Sequence, residues 1–323
     1  MINYIIRRFL YAFPLLLGVN ILTFVLFFIV NSPDDVARMQ LGKKHVTQQA
    51  VDNWKLQRGY DLPLLWNAKA DNPVTETIFY QKSVGLFRFD FGISDSGRNI
   101  SHDIKQRMWP SLAVALPSLI VGLLINISVA LLMVLFRNSY IEFSSLVLCV
   151  VLMSVSSLFY IIGGQFFVGK LLRLVPISGY DTGFNAIKFL ILPVLIAVVS
   201  GVGSGGRWYR SLFLEEVEKD YVRTARAKGL TELQVLFKHV LRNALIPILT
   251  GVVVVLPLLF MGSLITESFF SIPGLGSYTI DAINRQDFAI VRSMVFLGSV
   301  LYILGLLMTD ISYTFVDPRV RLS

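Results

Sequence analysis

The residues with the clearest chemical potential form one basic run in the second half of the chain. Arg223, Arg226, Lys228, Lys238 and Arg242 lie close together, between two apolar stretches that are long enough to cross a bilayer. Such a cationic segment can bind nucleic acid, anionic lipid or an acidic protein surface. In a strongly apolar chain, however, basic residues more often mark the cytoplasmic ends of membrane helices, so nucleic acid is not an expected partner.

No grouping of side chains suits catalysis or metal binding. The three histidines are far apart, and the only cysteine, Cys149, lies in an apolar run. The GVGSGG segment at 201–206 lacks the strand that a dinucleotide site requires, and its glycines predict a flexible end of a membrane helix instead. Glu267, Asp310 and Asp317 are too scattered for the acid pair of a membrane-embedded enzyme. We therefore expect no catalytic residue, no metal and no cofactor in this chain.

The composition indicates a membrane protein. Of 323 residues, 54% are hydrophobic and only 15% are charged, and the mean hydropathy is +0.66. Backbone groups in lipid must bond within their own segment, so each apolar run of about 20 residues predicts a helix. The predicted fold is all-α, with six membrane-spanning helices at 10–30, 111–136, 143–168, 184–203, 244–266 and 293–313.

The basic residues of the short loops predict the orientation. With a cytoplasmic N-terminus, the inside carries Arg7, Arg8, Arg137, the eight basic residues of 207–242, and Arg319 and Arg321. Both termini are therefore expected in the cytoplasm. The segment 31–110 is too long for this rule, and its mixed composition favours a small folded cap on the outside over a loosely ordered loop.

The basic run is predicted to form two helices joined by a tight turn. Acidic residues precede basic ones through 212–228, the order that a helix dipole favours, and Gly229 suits the left-handed residue after a helix. Thr231 and Gln234 have the spacing of a capping box. An apolar row then follows with helical spacing, and we expect it to anchor the second helix: Leu233, Phe237, Val240, Leu241 and Ala244.

Two interpretations of these helices remain open. A basic amphipathic helix can lie on anionic lipid without any further role. The small residues Ala225, Ala227 and Gly229, however, let another surface approach closely, whereas a helix facing lipid would gain more from large apolar side chains. Docking to a protein partner is the favoured hypothesis.

Several separated motifs resemble one family of proteins. The sequences DYVRTARAKGL and KHVLRNALIP resemble the cytoplasmic loop of ABC-type importer permeases, in the dipeptide, oligopeptide and nickel branch. RRFLYAFPLLLGVNILTFVLF, FDFGIS, SLITESFFSIPGLG and DISYTFVDPRVR resemble other parts of the B-type subunit, in the same order along the chain. Two departures occur: NSPDD stands where the family usually has Pro-Gly-Asp-Pro, and Arg223 stands where sugar importers have an acidic residue.

The resemblance implies a mechanism, a set of partners and a domain organisation. Two separate ATPase subunits would bind ATP and magnesium, since this chain has no G-x-x-x-x-G-K-[ST] phosphate loop. A homologous second permease and a periplasmic solute-binding protein would complete an importer of the bacterial inner membrane, in contact with membrane lipid. The domains would be the N-terminus with the first helix (1–30), a periplasmic cap (31–110), a permease core of five helices (111–313) with a coupling loop (207–243), and a cytoplasmic tail (314–323). The implied ATPase-coupling residues are Tyr221, Thr224, Ala225, Arg226, Ala227, Lys228 and Gly229.

Polar or helix-breaking residues inside spans are candidates for the translocation path or its gate. The candidates are Asn126, Ser154, Ser157, Pro257, Met261 and Glu267. Serine also bonds readily to its own helix, so a packing role is the simpler explanation for the serines. A path with few charges suits varied peptides, while nickel and oligosaccharide remain alternatives. A self-contained ion-coupled transporter would be expected to show repeated halves, which the sequence lacks.

Overall fold

The computed structural model describes residues 2–42, 46–68 and 70–316, which form an all-α protein without a β-strand in those ranges. The predicted fold class is therefore confirmed. The main helices are α1 (Ile2–Phe24, continuing to Val30), α2 (Pro33–Leu41), α3 (Gln48–Arg58), α4 (Ile100–Leu135), α5 (Tyr140–Ser154), α6 (Ser157–Gly164, continuing to Leu171), α7 (Ala186–Val217), α8 (Asp220–Ala227), α9 (Glu232–Val235, continuing through Leu236–Val240 and Leu241–Val255), α10 (Leu264–Phe269), α11 (Leu275–Asn284) and α12 (Phe288–Val316). A short helical segment, Tyr80–Val84 continuing through Gly85–Phe87, lies between α3 and α4. The predicted tail at 314–323 lies outside the described residues beyond 316.

Five helical stretches are long and apolar enough to cross a membrane. They comprise α1, α4, α7, α12 and the stretch Glu232–Phe269, which contains α9 and α10. The third predicted span, 143–168, differs from expectation, because α5 and α6 meet at an angle of 89°. Val155 and Ser156 adopt extended backbone at this break, and the Tyr160 hydroxyl donates to the Leu152 carbonyl at 2.8 Å. Serine side chains compete for backbone hydrogen bonds and Val is stiff, which explains why a helix ends here.

Helices α4 and α7 form the centre of the bundle. Their interface is the most extensive one between two helices in the described part of the chain, and α5 packs against another side of α7. Glycines permit this approach: a Cβ on Gly203 would lie 3.0 Å from the Met153 amide nitrogen of α5. The prediction of a flexible helix end at 201–206 is thus wrong, because these glycines lie inside α7 and serve close helix packing.

Helices α9 and α12 pack together, and α1 lies along α12. Arg8 near the start of α1 forms an ion pair with Asp310 near the end of α12, with Nε and Oδ2 2.8 Å apart. The two helices therefore run antiparallel. This arrangement brings the beginning of the chain and the end of α12 to the same end of the bundle.

A small helical unit covers the opposite end, and we call residues 31–99 the cap. Phe24 and Phe28 at the end of the first span pack against Val36, Trp54 and Tyr60 in an aromatic-rich core. The NSPDD segment begins α2 with a capping box, since Ser32 bonds the Asp35 amide and Asp35 bonds back to Ser32. Helix α4 then begins at Ile100, well before the predicted start of the second span.

Candidate functional site: a helical hairpin and a buried carboxylate

Helices α8 and α9 form a hairpin at the end of the bundle opposite the cap. The helix predicted over 212–228 is in fact two helices, because α7 ends at Val217 and α8 begins at Asp220. Gly229 has a φ of 78°, which confirms the predicted left-handed turn. Thr231 and Gln234 form the predicted capping box at the start of α9. The chain therefore reverses direction within a few residues.

Two side-chain contacts fix the shape of this hairpin. Arg226 makes two hydrogen bonds to Glu232 across the turn, at 2.8 and 3.1 Å. Tyr221 donates its hydroxyl to Glu216 at 2.5 Å. Burial, followed by this contact with a carboxylate, raises the pKa of Tyr221 to about 12, so the phenol stays protonated at neutral pH. Neither pairing was predicted from the sequence, since the partners lie five or six residues apart on different elements.

The buried face of the hairpin packs onto the ends of α4 and α7. It contributes Val222 and Ala225 of α8, together with Val235, Leu236 and Val240 of α9. The predicted anchor is wrong in part. Leu233 and Phe237 are 54% and 56% exposed. The π-helical turn at Leu236–Val240 takes more than the usual 3.6 residues, and this shifts which side chains face the bundle.

The opposite face is exposed, and we call it the hairpin surface. It consists of Arg223, Thr224, Arg226, Ala227, Lys228, Gly229, Leu233 and Phe237. Five of the seven residues predicted to contact an ATPase lie on this surface. The other two do not: Ala225 is 4% exposed within the core, and Tyr221 is half-buried against Glu216. The surface thus combines small, basic and large apolar side chains.

A cavity of about 380 Å³ lies on the cap side of the bundle, between α4, α6, α7 and the end of α9. We call it the cap-side cavity. Its polar lining comes from the side chains of Ser111, Ser118, Ser157, Ser200, Ser263, Thr266 and Glu267. Most of these are hydroxyls already bonded within the protein, such as Ser118 to the Val114 carbonyl and Ser200 to the Ala197 carbonyl.

Glu267 is the only acidic side chain that lines this cavity in the described residues, and it is 1% exposed. Its carboxylate accepts a hydrogen bond from the Ser277 amide at 3.1 Å. Gly274 and Gly276 lie directly against the carboxylate, where any side chain would overlap it. Nearby, Ser111 accepts a hydrogen bond from the Leu275 amide at 2.8 Å and so joins α4 to the start of α11. The buried acid therefore holds the turn that follows α10.

The structure brings only part of the predicted path together. Ser157 and Glu267 line the cap-side cavity, whereas Asn126 packs against Gly205 between α4 and α7. Ser154 donates to the Val150 carbonyl on its own helix. Pro257 and Met261 bound the 3₁₀ turn that follows α9 and do not line the cavity. The predicted path residues did not include Ser111, Ser118 or Ser200, whose hydroxyls give no signal beyond serine in an apolar run.

Comparison with known proteins gives full-length matches. Residues 126–322 match the family described as the binding-protein-dependent transport system inner membrane component, and residues 1–70 match the N-terminal region of such membrane components. The oligopeptide transport system permease protein AppB of Bacillus subtilis is 31% identical over 99% of this chain and 100% of its own length. The dipeptide permease DppB of Bacillus subtilis is 29% identical, over 100% of this chain and 99% of its own. The glutathione permease GsiC of Salmonella paratyphi A is 30% identical, over 99% of both chains. The resemblance drawn from the motifs is thereby confirmed, and the chain belongs to the family of binding-protein-dependent transport system inner membrane components.

Proposed function

We propose that this chain forms half of a translocation path for peptides in an ATP-driven importer. The names of the relatives AppB, DppB and GsiC support a peptide solute, since these proteins are described as oligopeptide, dipeptide and glutathione permeases. A homologous second permease supplies the other half, and a solute-binding protein delivers the peptide at the cap. Two ATPase subunits bind ATP and magnesium, because this chain has no phosphate loop of its own.

The observation that carries this proposal is the two-faced hairpin. Its buried face is continuous with the cores of α4 and α7, and its hairpin surface presents apolar and basic groups that lie open to a partner. A rigid element fixed to the spans on one side and exposed on the other can transmit a movement of a bound ATPase. The hairpin then lies in the cytoplasm, and the cap lies on the periplasmic side of the inner membrane.

The cap-side cavity is assigned to the periplasmic half of the path. It adjoins the break at Pro257 and Gly262, so a small rotation there would change its width. Glu267 acts in this assignment as the residue that keeps the turn after α10 closed, through the Ser277 amide. The cavity walls are mostly apolar with scattered hydroxyls, which suits solutes of varied side chains.

Cross-linking tests the coupling assignment with a matched pair of positions. Ala227 is exposed on the hairpin surface, whereas Ala225 is buried two residues away on the same helix. In a Cys149→Ala background, which removes the only cysteine, Ala227→Cys should cross-link to the co-expressed ATPase in the assembled complex, and Ala225→Cys should not. Cross-linking of Ala227→Cys to lipid alone would contradict the proposal.

Peptide transport is tested separately in proteoliposomes that hold the two permeases and the ATPases. We expect ATP-dependent uptake of a labelled oligopeptide, and only in the presence of the solute-binding protein. Uptake of nickel or an oligosaccharide in its place would reassign the solute and leave the coupling role intact.

A further inference from the structure

A second cavity lies farther along α7, toward the hairpin. It has a volume of about 610 Å³ and lies between α5 and α7, and we call it the hairpin-side groove. Its lining includes Met153 of α5 and Ser204, Arg207, Trp208 and Ser211 of α7. None of these side chains has a role in the proposed function.

The hairpin-side groove and the cap-side cavity open onto the same face of α7. The cap-side cavity is lined by Ala197 and Ser200. The hairpin-side groove is lined by Ser204, Arg207 and Ser211, which lie four, seven and eleven residues after Ser200. Residues three or four apart lie on one side of an α-helix. On the neighbouring broken span, Met153 at the end of α5 lines the groove and Ser157 at the start of α6 lines the cavity, on either side of the break. The two spaces therefore follow one another along a single wall.

Arg207 is the chemically distinctive member of this wall. Arg210 also lines the groove but is bonded to Glu142, whereas Arg207 forms no ion pair with an acidic side chain among the described residues and donates a hydrogen bond to the Met153 sulfur, at 3.6 Å from Nη1. Arg207 lies toward the hairpin end of α7, where an arginine that lines a groove and has no acidic partner can bind an anionic ligand. Its planar guanidinium suits a carboxylate, which can accept two parallel hydrogen bonds.

We infer that the hairpin-side groove is the second half of the translocation path in this subunit, and that Arg207 binds a carboxylate of the transported solute there. This inference rests on the proposed function, because it takes the cap-side cavity as the first half of the path. A peptide always carries a terminal carboxylate unless it is amidated, so a single guanidinium can act on peptides of any sequence. The phosphate of an anionic lipid is the competing ligand, and continuity with the cap-side cavity favours the solute.

Thiol labelling tests the position of the path independently of the ligand that Arg207 binds. In the Cys149→Ala background, we expect Ser204→Cys to react with a water-soluble maleimide in the assembled complex, and saturating peptide with ATP to slow that reaction. Ser128→Cys is the matched control, since Ser128 is also an exposed serine within a spanning helix but lines neither space. Equal labelling of both positions, or of neither, would overturn the path assignment.

Transport by Arg207 variants tests the ligand. At saturating solute-binding protein, Arg207→Gln should lower the maximal uptake rate of a free-acid peptide by about tenfold, as expected for the loss of a charge-assisted hydrogen bond. Arg207→Lys should recover only part of that rate, because an ammonium keeps the charge but cannot make the two parallel hydrogen bonds. Uptake of the C-terminal amide of the same peptide should be equal in wild type and Arg207→Gln. Arg137→Gln, at the same end but outside the groove and paired with the exposed Glu218, should leave both rates unchanged.

Lipid composition separates the two ligands. The Arg207→Gln loss should be the same in phosphatidylcholine vesicles with and without phosphatidylglycerol. A loss that appears only when phosphatidylglycerol is present, or that is equal for the free acid and its amide, would overturn the inference. These outcomes differ from failure of the proposed function, in which wild-type vesicles would take up no peptide while the labelling of Ser204→Cys could still be measured.

Discussion

At the scale of single residues, charge pairs do more to shape this protein than its composition suggests. Arg226 and Glu232 close the hairpin, Arg210 and Glu142 join α7 to α5, and Arg8 reaches Asp310. Each pair joins two helices that are separate in sequence. A residue that looks like a partner contact can therefore act by holding the shape of its own element.

Arg226 offers a test of this distinction. Arg226→Glu should lower the ATPase rate of the assembled complex several-fold, because the introduced carboxylate would repel that of Glu232 and open the turn, and the added Glu232→Arg change should restore most of it. The Arg226–Glu232 pair is largely exposed, so the free energy of unfolding of Arg226→Glu should differ from that of the wild type by less than about 1 kcal/mol. If the double variant folds but the ATPase rate of its complex stays low, the ATPase instead contacts the positive charge of Arg226 directly.

A second residue-scale prediction concerns Asp95 in the cap. Burial raises its pKa to about 6, and the charge of Asp287 adds to this, while Arg58, Lys82 and Arg292 oppose it. Because the folded-state pKa lies above the unfolded value, the folded cap binds the proton more tightly, and its stability rises as pH falls from 7 toward 5. The gain is about 1 kcal/mol over that range.

Hydrogen exchange of cap amides between pH 5 and 7, corrected for the intrinsic exchange rate, measures this effect. Asp95→Asn should make the stability of the cap nearly independent of pH over this range. Asp61→Asn is the control, since Asp61 is an exposed carboxylate in the same unit. An unchanged dependence in Asp95→Asn would assign the titration to another group.

At the scale of elements, two phenylalanines at the hairpin end should behave in opposite ways. Phe213 of α7 is fully buried against the hairpin, and Phe237 of α9 is 56% exposed. Phe213→Ala should destabilise the protein by about 3 kcal/mol through the cavity that it leaves. Phe237→Ala should preserve the melting temperature but weaken binding to the ATPase.

Thermal unfolding and co-purification measure the two effects independently. A large loss of stability in Phe237→Ala would place that side chain in the core and contradict the division of the hairpin into two faces.

The elements also show what the sequence could and could not predict. Apolar runs predicted the spans, and Gly229 with Thr231 and Gln234 predicted the turn, because these signals are local. The break at Val155 was missed, because hydropathy does not distinguish a straight apolar run from two helices at 89°. The anchor of α9 was misassigned for a related reason: a π-helical turn changes the period on which the prediction relied.

The site could be predicted only where its signal was local. Five of the seven coupling residues are exposed in one hairpin, whereas the candidate path residues divide between the cap-side cavity and unrelated packing positions. The difference arises because cavity lining depends on which helices become neighbours. Ser111 and Ser200 line the same cavity although they are far apart in the chain, and no spacing pattern in the sequence predicts that they are neighbours.

At the scale of the whole molecule, the hairpin and the cap lie at opposite ends, which predicts labelling from opposite sides of the membrane. In the Cys149→Ala background, a membrane-impermeant maleimide added to spheroplasts should react with Trp66→Cys in the cap, where Trp66 is exposed. It should react with Lys228→Cys on the hairpin surface only after the membrane is permeabilised. The reverse pattern would invert the orientation and contradict the assignment to a cytoplasmic ATPase.

The contact between Arg8 and Asp310 has a consequence for how many times the chain crosses the bilayer. Because the start of α1 meets the end of α12 in this way, both lie at one surface, so the number of crossings from α1 to α12 is even. The unpaired candidate spans number five in the described residues, which is odd. If each of these five crosses the bilayer once, α5 and α6 together count as one further crossing despite their 89° bend, rather than as a re-entrant loop.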